Sequence, residues 1–275
     1  MARRLTANNK NDWMTRLESI KAELQRNGWL IMLFLIAALA LSAVGKREST
    51  FLKDEILTVE PLADGSFMLT QEELRMELEN AFTKPTDALK LADIDLDWLE
   101  EVIERHPFVA EAEAYLDNRS RLHLTATQRK PLLRVIADNG QNYLLDENGT
   151  RMPISENYIP RVLVATGNLP PWDNQFMNEE DHPLRYLYDL AMYLRDDEFL
   201  DAMIEQVYLT NQSEMVLAPK VGDQTILLGR YDEKETYERL DRLMVFYQQG
   251  LPYAGWRKYR SFDLRYDDQV VCKKR

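Results

Sequence analysis

The chain has 275 residues, 45% of them apolar and 29% charged, which is enough for one or two folded domains and excludes a disordered protein. Its formal net charge of -12 comes without a basic stripe interleaved with aromatic residues, and this excludes a nucleic-acid-binding surface. The single cysteine, Cys272, excludes an intrachain disulfide and a cysteine-based zinc site.

An uncharged stretch, GWLIMLFLIAALALSAV, runs from Gly28 to Val44. As a helix it would be about 25 Å long, the short end of what spans a hydrocarbon core. Six Lys or Arg residues and three Asp or Glu residues precede it, so the positive-inside rule places the N-terminus in the cytoplasm. The sequence therefore predicts one membrane-spanning helix, followed by an exported chain.

Two other interpretations of this stretch stay open. Ala38-Leu39-Ala40 offers a cleavage site for a signal peptide, although a polar leader of 27 residues that contains acids is atypical of one. A buried core helix is the other alternative. The residues from 45 to 54 are polar and mixed in charge, which indicates a short linker.

A first folded unit follows the linker. Ile56 to Val59 is predicted as a strand, and Thr70 with Glu73 forms a capping box that starts a helix. A second helix starts at Asp95 or Asp97 and ends at Pro107. Its predicted core face consists of Trp98, Leu99, Val102 and Ile103.

Two alternating segments complete this unit. In VAEAEAYL the alanines share one face with Leu116, while Glu111 and Glu113 share the other. Asp117-Asn118 makes a turn, and the return segment RLHLTAT alternates in the same way. The order strand, helix, helix, strand, strand predicts a small sheet with two helices on one face.

A second unit begins after TQRKPLLRV and is predicted to contain several strands and two helices. The first helix starts at Asp181-His182-Pro183, with an apolar stripe of Leu184, Leu187, Tyr188 and Ala191, and the second stops at Gly250. The predicted strands are Leu133 to Ile136, Tyr143 to Leu145, Arg161 to Ala165, Val207 to Thr210, Met215 to Ala218, Thr225 to Leu228, Lys258 to Tyr266 and Gln269 to Cys272.

The sequence contains no pattern that favours catalysis. The three histidines, His106, His123 and His182, lie in different elements without ligand spacing, so no metal site and no cofactor is predicted. Carboxylates are abundant, but Asp196-Asp197, Glu179-Glu180-Asp181 and Asp267-Asp268 fall at turns or helix starts, where acids cap the backbone. Trp172 and Phe176 either form an exposed contact patch or fold back onto the core.

The chain ends SFDLRYDDQVVCKKR, which predicts a terminal strand with a free edge. One interpretation is that the charged residues blunt this edge or that the strand lies inside the sheet. The other is that the strand captures an extended partner segment along Tyr266 to Val271, with Tyr266 as aromatic anchor and Arg265 as charge contact. The predicted partner-binding residues are Arg265, Tyr266, Asp267, Gln269, Val270 and Val271.

Several stretches, taken in order, resemble the FtsQ/DivIB family of bacterial cell-division proteins over nearly the whole chain. They are IDLDWLEEVIERHPFVAEAEAYL, LHLTATQRKPL, NYLLDENGTRMPI, PRVLVATG and the terminal FDLRYDDQVV. The loop EPLADGSFML is longer than is usual in that family, and the tail after the last strand is short.

The resemblance implies an α+β fold: a transmembrane helix, a small β-α-α-β-β POTRA-like domain, then a larger mixed α/β domain with a mainly antiparallel sheet. The implied domains are a cytoplasmic tail at 1–27, the helix at 28–44, a linker at 45–54, the POTRA-like domain at 55–127, and a β domain at 128–272 that includes the partner-binding strand.

The same resemblance implies a non-enzymatic scaffold in the inner membrane at the division septum, with its C-terminal domains in the periplasm. It would bind FtsB/FtsL (DivIC-like) partners by β-strand addition, contact other division proteins through the POTRA-like domain, and help to recruit or regulate septal peptidoglycan synthesis. Two alternatives are an exported, membrane-anchored enzyme that cleaves cell-wall glycan with a carboxylate pair, and a component of outer-membrane transport, which the lack of barrel-type strands disfavours.

Overall fold

The computed structural model describes Trp29, residues 32–37 and residues 50–275. Trp29 and residues 32–37 are helical and exposed, and the rest of the predicted span from Gly28 to Val44 lies outside the described residues, as does the predicted tail. Within the described part of the chain, no helix combines the length and the apolar character needed to cross a membrane. The membrane anchor therefore stays a prediction.

Two compact units make up the described chain. One contains residues 50–56 together with 82–96 and Tyr115–His123, and the other contains Leu57–Ala81, Asp97–Ala114 and Leu124–Arg275. The predicted division into domains at 55–127 and 128–272 stays a prediction.

The small sheet contains three strands in residues 50–275, β1 (Asp54–Glu60), β2 (Val109–Leu116) and β3 (Arg121–Gln128), in the order β1-β3-β2. Between β1 and β2 lie helices α1 (Gln71–Ala81) and α2 (Leu96–Glu104). This is the predicted order of elements. Burial alternates along β3, as the alternation of its sequence predicts.

Helix α1 starts with the predicted capping box. The Glu73 main-chain N–H donates to the Thr70 hydroxyl at 3.2 Å, and the Thr70 main-chain N–H donates to the Glu73 carboxylate at 2.7 Å. Leu74 and Leu78, one turn apart, are the buried residues of this helix.

The predicted core face of α2 is corrected by the structure. Leu99 and Ile103 are fully buried, but Trp98 is 39% exposed and Val102 is half-buried. Leu99 and Ile103 lie one turn apart on the inner face, and each residue of a helix is rotated by about 100° from the previous one, so Trp98 lies on the flank. Trp98 is therefore not core, contrary to the prediction.

Within residues 50–275 the large sheet contains nine strands, with five antiparallel and three parallel pairings. This confirms a mixed α/β fold with a mainly antiparallel sheet. The spatial order is β12-β11-β10-β9-β8-β7-β4-β5-β6. The strands are β4 (Pro131–Ala137), β5 (Asn142–Asp146), β6 (Arg151–Met152), β7 (Leu163–Gly167), β8 (Ile204–Leu209), β9 (Glu214–Pro219), β10 (Thr225–Arg230), β11 (Tyr259–Asp263) and β12 (Val271–Lys274).

Four helices accompany these strands in the same range: α3 (Pro183–Asp196), α4 (Glu198–Met203), α5 (Glu233–Val245) and α6 (Leu251–Ala254). The apolar stripe predicted for α3 is buried. Helix α4 was not predicted, because its six residues are too few for a periodic pattern.

The predicted helix stop at Gly250 is wrong. Gly250 has a right-handed helical backbone, and a π-helical turn, Phe246–Gly250, connects α5 to α6. The left-handed residue is Gly255, with φ of 92°, whose N–H donates to the Leu251 carbonyl. The helical segment therefore continues for one more turn before it ends.

Candidate partner-binding edge

Strand β12 is the last strand at one end of the large sheet, and β11 is its neighbour. The Leu264 N–H donates to the Leu227 carbonyl at 2.9 Å, so at this end of β11 every second residue turns its main chain toward β10. The residues between them, Ser261 and Asp263, consequently face β12, where they pair with Lys273 and Val271.

It follows that Cys272, between those two paired residues, directs its N–H and C=O away from the sheet. Lys274 also directs its N–H and C=O away from the sheet, because the N–H of the next residue, Arg275, points inward and donates to the Lys258 carbonyl at 3.2 Å. Among the described residues, no side chain donates to or accepts from these outward groups of Cys272 and Lys274. The edge of β12 is therefore open to another extended chain.

The edges of the small sheet are occupied instead. On β2, the Ala112 N–H donates to the Glu104 carboxylate at 3.2 Å and the Ala114 N–H to the Glu100 carboxylate at 2.6 Å, both from α2. On β1, the Leu57 carbonyl accepts a hydrogen bond from the Gln71 side chain at 2.7 Å. Side chains thus take the places that a partner strand would need.

The predicted partner-binding residues fall mostly in the connection between β11 and β12, not in a strand. β11 ends at Asp263, and Arg265, Tyr266, Asp267 and Gln269 lie in the loop that follows. Asp268 adopts a left-handed conformation with φ of 56°, which turns the chain. The prediction that a strand continues to Tyr266 is wrong, because this turn reverses the chain before Val271 begins β12.

Arg265 is held within the protein. Its guanidinium pairs with Asp263 at 2.7 Å and with Glu214 at 3.3 Å. The hydrogen bond from Arg265 holds the pKa of the Asp263 carboxyl below its usual value, and the same bond raises the pKa of Arg265. The stem of Arg265 lies on Gly229, where an added Cβ would meet Arg265 Cγ at 2.9 Å. Arg265 therefore fixes the loop against β9 and β10, which sequence reasoning did not anticipate.

Exposed and partly buried side chains alternate only from Val270 to Lys273, while residues 265–269 are all exposed. Tyr266 is 50% exposed and Val271 is 41% exposed, whereas Val270 and Cys272 pack against the core. Burial raises the pKa of the Cys272 thiol, which keeps it protonated at neutral pH. Tyr266 and Val271 are thus the predicted residues that offer apolar surface beside the open edge.

An aromatic group near the same edge was missed by the sequence reasoning. Trp256 is 53% exposed, its carbonyl accepts from the Gln224 side chain at 3.0 Å, and its ring lies 5.7 Å from that of Tyr247. Arg275, directly after β12, pairs with Asp223, which precedes Gln224 in the chain. The signal in the sequence was the aromatic pair in LPYAGWRK, after the helix that was predicted to end at Gly250.

The other candidate residues have structural roles. His106 and His182 accept main-chain N–H bonds from Phe108 and Leu184, and His123 lies 3.3 Å from Asp117. No group of metal-ligating side chains that could hold an ion occurs in the described chain.

Two of the acidic residues and the aromatic pair singled out in the sequence have defined contacts in the structure. Asp197 accepts from the Phe199 and Leu200 N–H groups at the start of α4, and Asp181 accepts from the Tyr186 hydroxyl. Phe176 is buried, with Trp172 packed against it, so this pair folds back onto the core and does not form an exposed patch.

Comparison with known proteins gives two matches. The family described as FtsQ/DivIB, C-terminal related, matches residues 130–273, which is more than half of the 275 residues. A protein of Rhodothermus marinus named Cell division protein FtsQ is 27% identical over 188 residues, covering 66% of this chain and 67% of that protein. The matched range of the family includes β4 to β11 and β12 as far as Lys273, so it contains most of the open edge.

Proposed function

Because the chain belongs to the FtsQ/DivIB family, we propose that it is a non-enzymatic cell-division protein that acts as a scaffold and captures an extended partner segment at the edge of β12. The observation that carries this proposal is the contrast between edges. Carboxylates of α2 accept hydrogen bonds from outward N–H groups of β2. In β12, no side chain among the described residues bonds to the outward N–H groups of Cys272 and Lys274.

Strand addition would use these main-chain groups for affinity and the neighbouring side chains for specificity. Tyr266 and Val271 supply apolar surface beside the edge, and Lys273 and Lys274 supply positive charge in a protein of net charge -12. A partner segment with β propensity and acidic flanking residues fits this edge. In this proposal Asp267, Gln269 and Val270 shape the loop that leads into the docking strand.

The partners in this proposal are the FtsB/FtsL (DivIC-like) proteins, and through them the chain would help to recruit or regulate septal peptidoglycan synthesis. The stretch from Gly28 to Val44 would anchor it in the inner membrane, with a cytoplasmic N-terminus and the later domains in the periplasm at the septum. A POTRA-like domain at 55–127 would contribute contacts with other division proteins.

An exported glycan hydrolase is less well supported. Such an enzyme needs two carboxyl groups that face one cleft. Of the acidic residues singled out in the sequence, Asp197 caps helix α4 and Asp181 accepts from the Tyr186 hydroxyl. Depletion of the protein distinguishes the two functions: undivided filaments support the division role, and normal division with altered glycan composition would contradict it.

The strand-addition step can be tested at one N–H group. Cys272→Pro removes the outward N–H of Cys272 and leaves the inward bonds of Val271 and Lys273 to β11 in place. We expect the full-length variant in detergent to lose partner binding in a pull-down with the FtsB/FtsL-like proteins of the same organism. Cys272→Val replaces the thiol side chain but keeps the main-chain N–H, and it should bind normally.

Removing residues 269–275 provides a second variant and should also abolish binding. The thermal unfolding of each variant must be recorded beside the pull-down, because a folded Cys272→Pro protein that binds at full strength would show that β12 is not the docking strand.

A further inference from the structure

A groove runs along the amino-terminal ends of the parallel strands β4, β7 and β8. It consists of two adjoining cavities of about 680 Å³ and about 210 Å³. Both cavities share four lining residues, Pro131, Arg161, Val162 and Arg195, so they form one elongated depression. The groove lies far along the sheet order from β12, and the function proposed above does not use it.

Aliphatic side chains line part of both cavities, and Asp201 also lines the smaller one. Leu62, Pro131 and Pro160 line the larger cavity, and Leu163, Leu194 and Ile204 line the smaller one. Surfaces of this kind accept aliphatic side chains and give little orientation to a ligand. Orientation must therefore come from the few polar groups at the rim.

The rim has three cations, Lys130, Arg161 and Arg195, and two of them are already engaged. The Glu147 carboxylate accepts a hydrogen bond from the Arg195 guanidinium at 3.2 Å, and its other oxygen lies 3.4 Å from the Lys130 ammonium nitrogen. Arg161 is exposed and makes no hydrogen bond or ion pair with any residue in the described part of the chain.

Asp64, which lines the larger cavity, also has hydrogen-bond partners within the protein. Asp64 accepts from the Ser66 and Tyr158 hydroxyls, and these bonds lower the pKa of Asp64 to about 2. Asp64 is thus saturated by its own neighbours and does not compete for Arg161. The Arg161 guanidinium, which lines both cavities, therefore lies where two cavities with aliphatic lining residues adjoin.

We propose that this groove binds an extended peptide segment of a partner, in which one acidic side chain pairs with Arg161 and an aliphatic side chain on either side enters a cavity. In an extended chain, residues i−2, i and i+2 point to the same face, about 7 Å apart. The recognised pattern is therefore aliphatic, any residue, acidic, any residue, aliphatic. A guanidinium suits the acidic position because it can hold a carboxylate with two parallel hydrogen bonds.

The probe is a blocked, fluorescently labelled peptide, acetyl-GLSESLG-amide, titrated with the full-length protein in detergent micelles and followed by fluorescence polarisation. We expect saturable binding that weakens about tenfold when the glutamate is replaced by glutamine. The isomeric peptide acetyl-GLESSLG-amide, which breaks the alternation, should bind as weakly.

Charge exchange makes the assignment specific. Arg161→Glu should weaken binding of the glutamate peptide about tenfold or more, and the same variant should bind acetyl-GLSKSLG-amide better than the wild type does. Arg230→Glu, an exposed arginine on β10, is the matched control and should change nothing. Because Arg161 is exposed and makes no bond with a described residue, the melting temperature should be unchanged.

Two outcomes would overturn the proposal: no saturable binding of the glutamate peptide, or binding that Arg161→Glu leaves intact. Cys272→Pro should not change the binding of this peptide, so the proposals for the groove and for the edge of β12 are tested independently.

Discussion

Strand β2 lies at an edge of the small sheet and strand β12 at an edge of the large one, but among the described residues side chains bond to the outward main-chain groups of β2 only. Two glutamates of α2 accept from the N–H groups of Ala112 and Ala114, whereas no described side chain bonds to the outward main-chain groups of Cys272 and Lys274. Natural proteins blunt exposed edges because an unpaired edge invites association. The edge that this protein leaves open is consequently the better candidate for a partner.

The two strands would not have been told apart by their own sequences. Both VAEAEAYL and VVCKK carry apolar and charged residues, and neither sequence shows whether a neighbouring helix will bond to its edge. The difference comes from a neighbouring helix, which presents acceptors toward one edge and not toward the other. Each of the following experiments alters one side of this contrast.

The largest effect is expected from Leu99→Asp, which should break the closed edge by removing its helix. Leu99 is fully buried, so a charge there lacks a partner and should cost about 4 kcal/mol of the free energy of unfolding. Urea unfolding with amide exchange at Ala112 and Ala114 measures it. Trp98→Asp, on the exposed flank, should cost about 1 kcal/mol, and equal losses for both would contradict the assigned core face.

At the open edge, Tyr266→Ala should weaken partner binding by about 1–3 kcal/mol, as expected for an exposed aromatic hot spot, without changing the fold. Titration of the partner against the full-length protein measures this. Tyr115→Ala is the control, since Tyr115 is exposed to a similar degree, 53%, but is not part of the β12 edge. Equal affinity of wild type and Tyr266→Ala would remove Tyr266 from the interface.

A smaller effect is expected from Glu100→Ala, which should partly open the edge of β2. The Ala114 N–H loses its acceptor, and we expect about 1 kcal/mol of lost stability and faster hydrogen exchange at Ala114. Glu101→Ala, which removes only an exposed ion pair with Arg105, serves as the control. If exchange at Ala114 is unchanged, the carboxylate does not protect this edge.

The smallest effect concerns Glu73, another carboxylate that accepts main-chain N–H. Burial raises its pKa, but hydrogen bonds from the Thr70 N–H, the Asn157 amide and the Thr70 hydroxyl outweigh burial and hold the pKa below the ordinary value of 4.5. The folded state therefore binds fewer protons than the unfolded state, and the stability from this group, present above pH 4.5, is lost as the pH falls below it.

Unfolding of the wild type and Glu73→Gln across this pH range tests the assignment. The wild type should be the more stable at neutral pH, and the two should converge in acid. A difference that stays constant with pH would mean that the carboxylate charge contributes nothing.

Much of the candidate site could be predicted from the sequence, but not its arrangement. The terminal segment was correctly predicted to supply an edge strand, since β12 is the last strand in the order of the large sheet. Its turn was placed too late, since a single left-handed residue, Asp268, gives no periodic signal. Trp98 was assigned to the core because an aromatic residue beside Leu99 fits either the inner face or the flank of a helix.

The sequence by itself determined the local elements of this protein: the alternation of β3, the capping box of α1 and the apolar stripe of α3 all depend on residues within a few positions of one another. Tertiary structure decided which edges are closed and where charges are free. Glu100 reaches an N–H 14 residues away, and Arg265 pairs with Glu214, 51 residues away. Such contacts follow from how the chain returns on itself, which periodicity does not encode.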